Sequence, residues 1–284
     1  MALRADADPV LQGLDWLARA QQYRASRGDT RLLRYADDPV GFSQEVCGSY
    51  LYSAQRLIAE SVRDNKRTAV RSCHSSGKSF CAGRIIAWWL GTHRPGEAAA
   101  VWTAPGFKQV RVVLSQEVRD AHVAGELPGV VNQTEWKMDV AGNEKIVGMG
   151  FKPSDYNPEA MLGLHAPAML VVIDEGAGVA TSIFDAVEGL ATTEESRVLT
   201  IGHPDDPFSA FGRAFHPTSK WSKLRIAAWN TPNFTGEAVP PIVSRSLLAR
   251  SWVEDRLDAW GEDHPLYQSR ILAEFPETTE GALI

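Results

Sequence analysis

The chain has 284 residues, 44% of them hydrophobic and 23% charged, and a formal net charge of −6 from 29 Lys+Arg against 35 Asp+Glu. That balance supports one large core with at most a small appendage and excludes disorder over most of the length. The acidic charge excludes a surface that coats nucleic acid everywhere, while leaving room for a local basic groove.

The three cysteines, Cys47, Cys73 and Cys81, form no CxxC pair and fit a reducing compartment. Met1 to Pro9 carry acids and no long apolar run, and the apolar stretches are shorter than a membrane span, so a cytoplasmic-type protein is expected.

In chain order, the first 40 residues are helix-prone and carry Arg19, Arg24, Arg27, Arg31 and Arg34. They suit a solvated amphipathic helix, or else a nucleic-acid or partner contact. Val46, Tyr50, Leu51, Ala54, Leu57 and Ile58 recur at helical spacing and predict a packed helix within residues 40–63. Strands are predicted over residues 68–72, 99–103, 145–151, 169–173, 197–201 and 224–228. Helices are predicted from Lys78 to Leu90, stopping at Gly91, and from the Ala104-Pro105-Gly106 turn to about Ala124. The apolar run Met169-Leu170-Val171-Val172-Ile173 reads as a strand buried on both faces. Strands alternating with helices imply the α/β class, with a mainly parallel central sheet flanked by helices. After Pro240-Pro241, an amphipathic helix is marked by Leu248, Trp252, Val253, Leu257 and Trp260. The other tryptophans, Trp88 and Trp89 among them, read as core residues.

Between the first strand and its helix lies Ser72-Cys73-His74-Ser75-Ser76-Gly77-Lys78-Ser79, which reads as a phosphate-binding loop. N–H groups at a helix start form a ready anion site, and Gly77 lets the chain approach phosphates closely. Lys78 is placed to reach the β- and γ-phosphates, and the Ser79 hydroxyl to ligate Mg²⁺. Ser72 stands where the standard pattern has its first glycine, and a Gly-Lys-Ser triplet also arises by chance.

Asp174 and Glu175 follow the apolar strand, at the end where ligands gather in parallel sheets. Asp174 is placed to hold Mg²⁺ through water, and Glu175 to orient or deprotonate an attacking water. Alone, the pair is equally a solvated strand-end couple; with the loop upstream it points to a hydrolysing ATPase rather than a kinase. Thr200-Ile201-Gly202-His203-Pro204 ends the next strand, either facing the γ-phosphate or forming a plain Gly-Pro turn. Thr103-Ala104-Pro105 with Lys108-Gln109-Val110 is a turn and a basic helix start. Gln55 is an exposed helix residue, or an adenine contact if it lies beside the loop.

The ordered series resembles the ATPase domain of a tailed-phage large terminase subunit, from about Tyr35 to Phe275. It runs through Gln55, the loop with His74 and Gly77-Lys78-Ser79, Thr103-Ala104-Pro105, Gln109-Val110, Gly163-Leu164-His165-Ala166, Val172 to Val179, and Ile201-Gly202-His203-Pro204. Asn230-Thr231-Pro232-Asn233-Phe234 and Glu274-Phe275-Pro276 belong to the same likeness. The resemblance implies a P-loop NTPase fold of the additional-strand, catalytic-glutamate type. It implies ATP and Mg²⁺ as cofactors and translocation of double-stranded DNA into a procapsid. The implied partners are a homo-oligomeric ring, a portal protein and a small terminase subunit, in the host cytoplasm and without a membrane.

Carried over residue by residue, residues 72–79 bind nucleotide, Gln55 recognises adenine, Ser79 and Asp174 hold Mg²⁺, and Lys78 and Glu175 serve catalysis. Thr200, Gly202 and His203 form the coupling motif. The expected organisation is a helical N-terminal segment over 1–40, the P-loop ATPase core over 41–235, and a small C-terminal helical or lid subdomain over 236–284.

Three departures stand out. His203 occupies a position that usually holds asparagine. His74 and Leu162 occupy positions where many such proteins carry an arginine, so an arginine finger is expected from elsewhere, a neighbouring subunit included, with Arg71, Arg111, Arg119, Arg197 and Arg213 as candidates. After the coupling motif only about 80 residues remain, fewer than a subdomain plus nuclease would need. No DNA cleavage is therefore expected of this chain, with the nuclease on a separate subunit or domain. The competing readings are a helicase-like ATPase, which needs a second ATPase-like domain, and a nucleotide-binding assembly or scaffold subunit.

Overall fold

The computed structural model describes residues 30–152 and 164–277. Eight strands form one sheet in the order β3-β4-β5-β2-β6-β7-β1-β8. They are β1 (Arg67–Ser72), β2 (Ala98–Thr103), β3 (Val130–Asn132), β4 (Glu135–Val140), β5 (Asn143–Gly150), β6 (Ala168–Ile173), β7 (Arg197–Gly202) and β8 (Ser222–Ile226). From β5 through β8 the neighbours are all parallel, whereas β4 runs antiparallel to both β3 and β5. Every residue of β2 and β6 is buried, as expected where helices cover both faces of a parallel sheet. β7 lies between β1, which leads into the loop, and β6, which leads into the acid pair. That inserted strand is the additional strand of the expected fold.

The main helices are α1 (Ser53–Asp64), α2 (Lys78–Thr92), α3 (Ser115–Ala124), α4 (Thr181–Leu190) and α5 (Arg250–Trp260). On one face, Ile85, Ile86, Trp88 and Trp89 of α2 pack with Ile58 of α1, Val118 of α3 and the sheet residues Trp102 and Trp136. On the other, Ile183 and Val187 of α4 cover Val101, Val171 and Ile173. α2 is buried almost all round, which is what its weakly amphipathic sequence requires of an internal helix.

Four sequence expectations change. The predicted helix within 40–63 is interrupted: Gly48 adopts φ +58, and a regular helix restarts only at Ser53. α2 runs through Gly91 to Thr92, and Gly91 serves packing instead, since a Cβ there would meet the Phe42 ring at 3.2 Å. The strand expected over 145–151 belongs to the β3-β4-β5 meander, so the sheet is not parallel throughout. Its tight turn is Ala141-Gly142 with φ +55 and +83, lacking the Asn-Gly or Asp-Gly pair that marks such turns. The last strand ends at Ile226, and Ala228 already belongs to a turn of helix.

Val253 of α5 packs with Leu248, Tyr267 and Ile271 into a separate cluster that includes Cys73 of the loop. The C-terminal segment therefore rests directly on the phosphate-loop candidate. The arginine-rich stretch up to Arg27, Leu162 and Gly163 lie outside the described residues.

Candidate active site

The parallel strands β1, β6 and β7 open their carboxyl ends on one crevice. From β1 the chain turns through Ser75 (φ 45) and Gly77 (φ 69) into α2. Gly77 is required twice over, by its left-handed backbone and because a Cβ would sit 2.6 Å from Gln55 Nε2.

The loop is held from outside. Tyr52 Oη donates to Ser76 O at 2.8 Å, and Gln55 Nε2 donates to Ser76 O at 3.3 Å and Gly77 O at 3.0 Å. Leu248 N donates to Ser75 O at 3.2 Å, while the loop's own His74 N donates to Arg270 O at 2.7 Å. Gln55 is thus 3% exposed with its amide turned to the loop, in place of an exposed helix side chain. Ser72 and Cys73 are fully buried at the strand end, and burial pushes the Cys73 thiol up to about 12. Their side chains belong to the core, whereas Lys78 and Ser79 are partly exposed.

Across the crevice, Ser79 Oγ donates to Asp174 Oδ2 at 2.8 Å. Lys78 Nζ lies 2.9 Å from Glu175 Oε1, and His203 Nδ1 lies 2.9 Å from Glu175 Oε2. An ionised carboxylate only accepts, so His203 carries its proton on Nδ1. Nε2 is then an acceptor, 3.4 Å from Lys78 Nζ and 3.2 Å from His74 Nδ1. His74 in turn stacks on Trp252 of α5, with ring centroids 6.1 Å apart.

The electrostatics follow from this geometry. Burial drives the Asp174 carboxyl up to about 6, helped by the charge of Glu175 and opposed by Lys78 and the Ser79 hydrogen bond. Burial alone would also raise Glu175, but the His203 hydrogen bond and the Lys78 charge pull it well below the usual carboxylate range. His203 is pushed down to about 4, first by burial and then by Lys78 and Arg270, against the pull of Glu175. Near neutral pH the site therefore holds an ionised Glu175 against a neutral imidazole.

Glu175 has a left-handed backbone (φ 49, ψ 50), uncommon for a residue with a side chain and typical of functional positions. Gly202 makes room for it: a Cβ there would meet Gly176 N at 2.9 Å and Glu175 Cα at 3.2 Å. Of the three coupling candidates, Gly202 and His203 touch Glu175. Thr200 is buried inside β7 opposite Ala69 and Ile173, with its hydroxyl unpartnered.

The sequence reading missed Arg270, which bonds the loop through its carbonyl and pairs with Asp205 Oδ2 at 3.0 Å. No local pattern announces it, because the contact spans the chain from loop to C-terminal segment. Beside the main crevice, a cleft of about 220 Å³ is lined by Thr103, Pro105, Lys152, Gly178 and Ile183. It lies where the second strand's turn meets the segment after Glu175. Among the described residues, no helix is long and apolar enough to cross a membrane.

No protein-family model matches the chain. It is 25% identical over 243 residues to a probable terminase large subunit of Enterobacteria phage P7, covering 82% of this chain and 47% of that protein. The chain thus spans about half the length of the relative it matches. The large terminase ATPase domain of Thermus phage P74-26 superposes with a TM-score of 0.59 at 18% identity, covering 84% of this chain and 98% of that one. The large terminase of thermophilic bacteriophage D6E in complex with ADP gives 0.59 at 13% identity, over 80% of this chain and 54% of that one. The bacteriophage HK97 large terminase gives 0.55 at 15% identity, over 84% and 55%. The chain has the fold of a phage large terminase ATPase domain and is related in sequence to a phage large terminase subunit.

Proposed function

We propose that this chain is the ATPase motor of a viral DNA-packaging terminase, hydrolysing ATP with Mg²⁺ to translocate double-stranded DNA into a procapsid. The observation that carries the reading is the meeting of Lys78 and Ser79 with Asp174 and Glu175 across β7, with His203 anchoring Glu175. Support also comes from the phage P7 relative's description and from the D6E terminase complexes with ADP and with ATP-γ-S.

Within residues 72–79, the backbone N–H groups from Ser75 onward would cradle the phosphates, since Cys73 N and His74 N already donate to Ile226 O and Arg270 O, with Lys78 on the β- and γ-phosphates. Ser79 and Asp174 suit Mg²⁺: both offer hard oxygen donors, and the buried Asp174 carboxyl, driven up to about 6, is a site that a cation would keep ionised. Among the described residues no cluster of three or more His, Cys, Asp or Glu could hold a metal by itself. Bound at Ser79 and Asp174, Mg²⁺ would offset the charge of the phosphates.

Glu175, ionised and steadied by His203, would receive the proton of a water whose oxygen attacks the γ-phosphorus. The bond to the bridging oxygen breaks and its electron pair leaves with ADP. Gln55 is assigned to the adenine side of the loop, and Thr200, Gly202 and His203 to coupling. Residues 41–235 are the motor core and 236–284 the C-terminal subdomain. The proposed partners are double-stranded DNA, further copies in a ring, a portal protein and a small terminase subunit, in the host cytoplasm.

The test is steady-state ATP hydrolysis against protein concentration, for wild type beside Glu175→Ala, with and without double-stranded DNA. Hydrolysis that vanishes in Glu175→Ala and responds to DNA supports the motor. Hydrolysis that survives the substitution refutes the assignment of Glu175.

A further inference from the structure

An ATP-hydrolysing site needs positive charge on the terminal phosphate, and the arginines expected to supply it are placed elsewhere. Arg71 pairs with Glu274 at 2.5 Å and lies over the rings of Phe215 and Phe275. Arg197 sits at the opposite end of β7, donating to the carbonyls of Arg63, Glu194 and Ser196. Arg213 donates to Phe208 O and Thr181 Oγ1, and Arg119 to Gln133 O and Gln116 Oε1. Arg111 lines a separate cleft with Arg119, Gln116 and Gln133.

Arg270 is placed differently. Its carbonyl accepts from His74 N within the loop, so its main chain is fixed to the phosphate-binding element. Its guanidinium is 24% exposed and pairs with Asp205, two residues beyond the His203 that anchors Glu175. Asp205 Oδ1 is buried and unpartnered, so only one carboxylate oxygen holds the arginine, and the guanidinium keeps donors to spare. The positive charge of Arg270 acts on both imidazoles of the crevice, helping to hold His74 and His203 below their ordinary values.

We propose that Arg270, held by Asp205 beside His74 and His203, is a cis-acting arginine that contacts the terminal phosphate of a nucleoside triphosphate bound on the loop. This rests on the nucleotide-binding reading of that loop. A guanidinium offers several N–H donors in a fixed fork suited to phosphoryl oxygens. Its neighbour Ile271 packs with Val253 of α5, the helix that also stacks Trp252 on His74, so occupancy of the terminal phosphate position would reach α5 through that packing.

The experiment compares the affinity of ATP-γ-S with that of ADP, each with Mg²⁺, for the full chain and for Arg270→Ala, Arg270→Lys and Lys78→Ala. A charge-assisted contact to the terminal phosphate predicts that Arg270→Ala loses roughly ten- to hundredfold in ATP-γ-S affinity. ADP affinity should stay within about twofold. Arg270→Lys, which keeps the charge and loses the fork, should fall between wild type and Arg270→Ala. Added guanidinium ion should restore part of the hydrolysis rate of Arg270→Ala. Equal losses for ATP-γ-S and ADP, or no loss of either, would overturn the proposal and leave Arg270 as a clamp on the loop. Lys78→Ala that leaves both affinities intact would instead remove the loop reading on which it rests.

Discussion

Replacing Asp174 by asparagine should make the protein more stable, though the carboxylate is its proposed metal ligand. Asp174 is fully buried, and burial lifts its carboxyl from 3.8 to about 6. At about 1.4 kcal/mol per pH unit, that interval amounts to about 3 kcal/mol. The sign follows from proton release. Below the unfolded value the carboxyl is protonated in both states and nothing is lost. As pH rises, the unfolded chain gives up the proton first, so stability falls until the folded value is passed and then stays flat. Asparagine keeps the volume and an oxygen to accept from Ser79 Oγ and carries no charge to bury, but its NH2 would face the Glu175 N–H that Asp174 Oδ1 accepts at 3.0 Å, which offsets part of the gain. In EDTA, without nucleotide, urea melts should therefore show Asp174→Asn more stable by up to about 3 kcal/mol near pH 7.5, and by about half that near pH 5. At a few degrees per kcal/mol for a chain of this size, the neutral-pH melting temperature should rise by up to about 10 °C. Added Mg²⁺ and nucleotide should favour the wild type and shrink the difference. A wild type as stable as the variant near pH 7.5, or a gap independent of pH, would falsify the account of Asp174 as a charge held against its desolvation.

Three further outcomes follow from the same geometry. His203→Ala removes the side-chain donor to Glu175 Oε2 and leaves only the longer backbone N–H contact at 3.4 Å, so kcat should drop by roughly tenfold or more with KM little changed. His203→Asn, whose amide can still donate, should recover part of that loss. Gly202→Ala places a methyl 2.9 Å from Gly176 N and should cost about 1–3 kcal/mol in a urea melt. Activity should fall with it as Glu175 is displaced; an unperturbed melt would show that the strand ends separate freely. Gln55→Ala strips the amide donor from the carbonyls of Ser76 and Gly77, so the KM for ATP should rise several-fold, by about 1 kcal/mol of binding. An unchanged KM would show that the loop holds its form without Gln55.

The parts of this architecture that could be read in advance are those written in contiguous residues. The run from Met169 to Ile173 can only be a two-sided buried strand, and the Gly-Lys-Ser triplet needs its neighbouring strand and helix to make sense. Both features are local, and both occur where the periodicity put them. The β3-β4-β5 meander was partly legible too, since Trp136 and Met138 alternate inward along β4. Its Ala-Gly turn carries no strong hairpin signature, so nothing local marks the alternation as one arm of a hairpin. What could not be read is pairing across distance. Gln55 on the loop carbonyls, His74 between Trp252 and His203, and Arg270 on Asp205 each join segments brought together only by the sheet order. Helix and strand periodicity are silent about such contacts, because they report which face is buried and not against what.

The anchoring of the loop carbonyls has a consequence for its electrostatics. In a trans peptide the C=O and the following N–H point in opposite directions. When Tyr52, Gln55 and Leu248 hold the carbonyls of Ser75, Ser76 and Gly77 against the protein, they also orient the N–H groups of Ser76, Gly77 and Lys78 away from it. The dipoles of three successive peptides are thus fixed before any anion arrives, as in a backbone nest. An incoming phosphate meets a field already set, and little reorganisation separates encounter from the bound geometry. The conformational entropy of the loop is spent in folding, so it does not weaken each cycle of binding and release.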